Sequence, residues 1–152
     1  MITTKREHIV RGKFDPLLVH QGVVEQRVHM KPSGLWYGVD GGWEEWCASE
    51  MPQWLGGAKY ELDLDESKIL IVRNIEAFDK EYGVTVKVPG APDLDHFHID
   101  WPRIAKSYSG VEIPSYSWNH RHEFMWYYGW DCASGCVWNP DCVKSIMEVA
   151  KI

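Results

Sequence analysis

Hydrophobic and polar positions alternate most regularly over residues 58–64, Ala-Lys-Tyr-Glu-Leu-Asp-Leu. A period of two predicts a strand buried on one face, closed here by the polar turn Asp65-Glu66-Ser67. Residues 68–72 are an apolar run rich in β-branched side chains, the pattern of a strand covered on both faces. The spacing then changes. Ile75, Phe78 and Tyr82 recur at helical intervals between an N-cap at Asn74 and a stop at Gly83, which predicts an amphipathic helix over residues 75–82.

Residues 7–13 suggest a first strand, followed by a Phe14-Asp15-Pro16 turn and a short apolar stretch over 17–19. Residues 35–39, Leu-Trp-Tyr-Gly-Val, form an aromatic strand, and beyond Gly41-Gly42 a helical segment over 43–51 sets Trp43 and Trp46 on one face until Pro52 ends it. Another strand is predicted over 84–88 and a Pro/Gly loop over 89–92. Asp100 caps a helix whose inner stripe is Trp101, Ile104, Ala105 and Tyr108, ended by Gly110. Residues 111–113, 124–128 and 136–138 are short strand candidates. Asn139 and Pro140 then open a last helix over 141–151, with Val143, Ile146, Met147 and Ala150 facing inward. No repeat or linker interrupts this order, so the chain reads as a single α+β domain over residues 1–152, with a mixed or antiparallel central sheet and short flanking helices.

A chain of 152 residues, 45% hydrophobic and 25% charged, is long enough for one full core. Nine Trp and seven Tyr sharpen that picture, because so many rings either fill the core with N–H and O–H groups that need partners or line a recognition surface. The net charge of −6 disfavours a broad electrostatic grip on nucleic acid. No apolar run approaches the roughly 18 residues of a membrane span, and the polar start lacks a signal-peptide core, so a cytoplasmic protein without membrane contact is expected. Without an export signal, Cys47, Cys132, Cys136 and Cys142 read as reduced, mostly buried thiols. Cys132 and Cys136 with His120 and His122 are the set offered for zinc, while His96 and His98 share a strand face without an obvious third ligand.

High-specificity catalytic motifs such as GxSxG, a Walker loop or HExxH are absent from the sequence. Chemistry is concentrated instead in residues 29–47, where aromatic rings and bare backbone N–H groups suggest a pocket for a flat, polar ligand. Lys31, with the N–H groups of Ser33 and Gly34, is placed to meet a pyrophosphate. Asp131 lies between Trp130 and the small residues Ala133, Ser134 and Gly135, where a partly desolvated charge acts strongly on a bound cation.

Several of these pieces, in this order, resemble the ADP-ribosyltransferase fold family. They are His8 in Glu-His-Ile-Val, the strand Gly34-Leu35-Trp36-Tyr37-Gly38, the segments 60–65 and 108–111, and a late acid, Asp131 or Glu123. The resemblance implies a split-sandwich domain that uses NAD as substrate, needs no metal, and transfers ADP-ribose to a protein or nucleic-acid acceptor. In it His8 hydrogen-bonds a ribose hydroxyl, with Arg11 as the alternative on the same strand, and Tyr37 or Trp36 stacks on nicotinamide. The late carboxylate holds the second ribose and stabilises the oxocarbenium-like centre. The chain departs from the family at Gly38, where Ser or Thr is usual, and at Asp131, where Glu is usual. Two other readings fit the same residues. One is a non-catalytic binding or inhibitor module using a Trp-rich surface around Trp43 and Trp46, and the other is a small zinc-stabilised domain. Acceptor choice would lie in surface loops 20–27 and 89–98, which carry no readable code.

Overall fold

In the computed structural model, which describes residues 3–91 and 96–151, the alternating segment is the strand β4 (Ala58–Leu64). It lies between β1 (Arg6–Val10) and β10 (Val143–Lys151), antiparallel to both. Beyond β1 follow β3 (Leu35–Val39), β9 (Ser134–Val137), β8 (Gly110–Ile113) and β5 (Ile69–Ile71), giving a seven-stranded sheet of order β10-β4-β1-β3-β9-β8-β5. Only β5 and β8 run parallel, so the sheet is mixed and the fold is α+β. A second, antiparallel sheet, of order β2-β7-β6, joins β2 (Val28–His29), β7 (His96–Asp100) and β6 (Gly83–Val86). Among the described residues no helix is long and apolar enough to cross a membrane. Of the loop 89–98, residues 92–95 lie outside the described residues.

The helices are α1 (Pro16–Val19), α2 (Gly42–Glu50), α3 (Ile75–Tyr82), α4 (Trp101–Ala105) and α5 (Met125–Tyr128). Caps read from the sequence are in place. The Asn74 side chain accepts the Ala77 N–H at 3.0 Å, and Asp100 accepts the Arg103 N–H at 3.2 Å. Against α3, α4 and α5 the sheet packs Val111, Ile113 and Cys136, which meet Ile75, Phe78, Trp101 and Trp126 in one buried cluster.

Connectivity forces the sheet to curl. β4 and β5 hold the second and seventh positions, about five strand spacings or roughly 24 Å apart in a flat sheet. Yet the link from Leu64 to Ile69 reaches at most about 18 Å when extended. The edges therefore bend toward each other, and Leu62, Leu64, Ile69, Tyr37, Val39 and Val137 close a second cluster on the inner face.

Across that inner face Tyr37, Gly135 and Glu112 stand opposite one another on β3, β9 and β8. A Cβ at Gly135 would collide with the Tyr37 ring, so only glycine lets the phenol lie over β9 and donate to Glu112 Oε1 at 3.1 Å. Arg6 of β1 reaches the same carboxylate, with Nε 2.5 Å from Oε1, and its Nη2 donates to Glu66 at 2.7 Å. Burial penalises the Arg6 charge, but the hydrogen bonds to Glu112 and Glu66 outweigh it and its pKa is raised. Burial, then the nearby charge of Glu112, pushes the Tyr37 pKa well up, so it remains a phenol.

Two predicted elements are corrected. Residues 124–128 are not a strand but end in the helix α5, where Trp126 and Tyr127 are buried consecutively, which alternation forbids. Residues 141–151 are not a helix but a 3₁₀ turn (Pro140–Cys142) and β10. Register shifts between Val143 and Ser145 and between Glu148 and Ala150 insert extra residues into the strand. Val143 and Ile146 thus face β4 beside Leu64 and Leu62 at a spacing of three that imitates a helix.

Replacing Arg6 by Met leaves the Glu112 charge buried without its cation and is expected to cost roughly 3–5 kcal/mol in urea unfolding. The double variant Arg6→Met, Glu112→Leu should recover most of that loss. Additive losses in the double variant would show that the pair does not act as a unit.

Candidate functional site

β1 and β3 pair only at Arg6↔Val39 and Glu7↔Gly38, whereas β1 continues alongside β4 as far as Val10. The two central strands part after Glu7, and His8 occupies the seam. Its Nδ1 lies 2.7 Å from the Trp36 carbonyl oxygen, and its ring centroid 4.7 Å from that of Phe14. A carbonyl only accepts, so Nδ1 carries the hydrogen and Nε2 of the neutral ring is an acceptor. Burial lowers the His8 pKa, against the opposing pull of the Trp36 hydrogen bond, and the ring is neutral at pH 7.

Alternation turns Glu7, Ile9, Trp36, Gly38 and Ser134 to the outer face, away from Tyr37. There they floor a cleft of about 290 Å³, walled by Trp43 of α2, by Lys31 and Pro32, and by Trp130, Asp131 and Cys132. The turn into α2 sets the first wall. Asp40 and Gly41 have φ of 50° and 78°, and Asp40 is tied to Lys5 by the Lys5 N–H at 2.8 Å. This geometry brings Trp43 so near Gly38 that a Cβ there would stand 2.8 Å from the Trp43 Cβ.

Tryptophans dominate the walls. Trp36 and Trp130 meet edge to face at 5.0 Å, and Trp43 stacks on Trp46 at 5.2 Å. Both rings also approach Trp54, which is 43% exposed. Trp130 Nε1 is buried and, among the described residues, donates to nothing, an unmet donor in the wall of a cleft. Lys31 holds its ammonium 5.3 Å from the centre of the Trp36 ring. Asp131 Oδ1 lies 3.3 Å from Arg121 Nη2, and that guanidinium is flanked by Trp118 and Tyr128 at 5.6 and 5.2 Å. Glu7, its side chain 13% exposed, has Lys59 Nζ at 3.7 Å from Oε2, while Lys59 makes its closer contact with Glu44 at 2.5 Å.

His8, Lys31, Trp36, Tyr37 and Asp131, chosen from the sequence, all border this one cleft. Tyr37 does so while committing its hydroxyl to Glu112, so the half-buried Trp36 is the ring that β3 turns to the cleft. Ser33 and Gly34 are not among its lining residues. The Ser33 N–H is taken by Gln26 Oε1 at 3.0 Å, and Gly34 packs where a Cβ would strike the Val137 carbonyl. Arg11 and Glu123 also stand outside the cleft. Cys132 lines it, but burial pushes the thiol up to about 12, which removes its nucleophilic form. Among the described residues the metal-ligand atoms that gather within 4.8 Å are those of Glu76, His120 and Glu123, so Cys132, Cys136, His120 and His122 do not form a zinc set. Glu7 and Trp130 were not singled out in the sequence. The face of Glu7 follows only from strand register, although the adjacent His8 was the available signal. Comparison with family models, with curated proteins and with solved structures finds no match to this chain.

A His pKa lowered by burial contributes stability that is present above the unfolded value of about 6.5 and is lost as pH falls toward the folded one. The melting temperature of the parent relative to His8→Gln should therefore drop as pH is lowered from neutrality to acid. A difference independent of pH would show that His8 is not held neutral in the seam.

Proposed function

We propose that this protein cleaves NAD at the bond between nicotinamide and ribose and transfers ADP-ribose to a protein or nucleic-acid acceptor, as an enzyme of the ADP-ribosyltransferase type. One observation carries the reading: His8, Lys31, Trp36 and Asp131 are scattered over most of the sequence and border one cleft. The curled sheet with its parted central strands supports the split-sandwich form of that fold. The cleft, about 290 Å³, stands at the small end of the range of roughly 300–1,000 Å³ for ligand pockets, a size that suits the nicotinamide riboside end of the dinucleotide.

Each role is assigned to a residue that borders the cleft. Trp36 offers the flat surface for nicotinamide, with the Trp130 ring packed edge to face beside it. His8, in the seam that borders the cleft, takes a ribose hydroxyl, and Lys31 meets the phosphates. As the glycosidic bond breaks, its electron pair passes to the nicotinamide ring nitrogen and positive charge develops on the ribose. Asp131 stabilises that charge, and Arg121 keeps the carboxylate oriented. The Trp43, Trp46 and Trp54 cluster at the rim offers the apolar, partly exposed surface on which a protein acceptor would dock.

NAD at roughly 100 times its Kd should stabilise the fold by about 2.7 kcal/mol in thermal unfolding. Asp131→Asn should lower nicotinamide release by roughly 10²–10³-fold, the typical cost of one electrostatic stabiliser. Its stability should stay within about 1 kcal/mol of the parent, since the lost ion pair is partly exposed. No thermal shift at millimolar NAD together with no nicotinamide released would overturn the reading.

A further inference from the structure

The roles above leave one carboxylate on the cleft unused. Glu7 stands directly opposite Gly38, and Gly38 in turn opposite Ser134, in one row across the outer face. Gly38 carries no side chain, the start of α2 is seated over it at Trp43, and Glu7 lines the cleft beside that wall together with Ile9 and Trp36. A ligand in this cleft therefore meets Glu7 from β1 and Asp131 from the segment leading into β9.

The two acids differ in what holds them. Asp131 is paired with Arg121, whose guanidinium is flanked by two rings, so one of its oxygens is already engaged. Glu7 is mostly buried, yet its one charged partner among the described residues, Lys59, stands 3.7 Å away, beyond hydrogen-bonding distance, and is held more closely by Glu44. A carboxylate that lines the cleft and, among the described residues, has no cation within hydrogen-bonding distance has an oxygen free to take a proton from a bound acceptor.

We propose that Glu7 is the general base that deprotonates the acceptor, an inference that rests on the NAD-cleaving reading above. As the acceptor O–H or N–H approaches the ribose carbon, its heteroatom forms the new bond to that carbon and its proton passes to the Glu7 carboxylate. The bond to nicotinamide breaks with its pair on the ring nitrogen, and neutral nicotinamide leaves. The Glu7 acid returns the proton to solvent. Water in the acceptor's place gives hydrolysis by the same route.

The test follows nicotinamide release from NAD against pH in the parent, Glu7→Gln and Glu7→Asp, with and without azide, an anionic nucleophile that has no proton to lose. Glu7→Gln should lower kcat by roughly 10²–10⁴-fold and flatten the acidic limb of the profile. Its KM for NAD should change by less than about threefold, as befits a group acting in the transition state. Azide should restore turnover to Glu7→Gln but not to Asp131→Asn. Glu7→Asp should retain part of the activity and be accelerated by azide more than the parent, and it carries the test if Glu7→Gln fails to fold. Full turnover in Glu7→Gln, or a loss that azide leaves untouched, overturns the role of Glu7 while leaving NAD cleavage standing. A parent that releases no nicotinamide overturns both.

Discussion

The buried contact among Arg6, Glu112 and Tyr37 is the constraint on which the rest of the sheet depends. It crosses from β1 to β8 over two intervening strands, and it does so because Gly135 removes the one side chain that would stand in the way. Placing a charged pair at 7% and 2% exposure is costly in desolvation, and a hydrophobic replacement would often be as stable. Its value here lies in register. A slip of one residue on β8 would carry Glu112 to the outer face, among the tryptophans packed on α3 to α5, and leave Arg6 facing apolar chains. With Tyr37 fixed inward, Trp36 and Gly38 must face outward.

The cleft is thus the reverse side of that contact. It lies where the bare Gly38 lets α2 settle close enough for Trp43 to form a wall, and where a sheet pairing stops after Glu7, leaving a second place to be filled. His8 repairs the second gap with a side-chain hydrogen bond to the Trp36 carbonyl, which the ladder leaves free there. The groups around the space are then unusually under-satisfied for a folded interior. Trp130 has an unmet donor, and Glu7 has a distant cation.

How far the sequence could be read depended on whether the controlling contacts were local. β4, α3 and the Asp100 cap were legible because alternation, helical spacing and caps are decided within a few residues. β10 was not, since bulges set by its pairing with β4 gave its apolar residues a helical spacing. The second sheet also escaped, because β2 has only two residues and offers no pattern. At the site, ring and charge types led to His8, Lys31, Trp36 and Asp131. The backbone of Ser33 read as free, but Gln26, seven residues earlier, claims both its N–H and its carbonyl. Glu7 stayed hidden because its face is set by pairing with Gly38, 31 positions away, and that pairing is locked by an ion pair spanning 106 positions.

The bulges of β10 matter beyond concealment. This nine-residue strand is one outer edge of the main sheet, and the other edge, β5, has only three residues. A long, regular edge offers a row of backbone donors and acceptors to any passing chain. The extra residues throw that row out of step at two points and twist it aside, while Met147 and Val149 remain at the surface. That edge is thereby blunted as a template for another strand. On this edge it is side chains such as Met147 and Val149, and not a regular backbone row, that face outward.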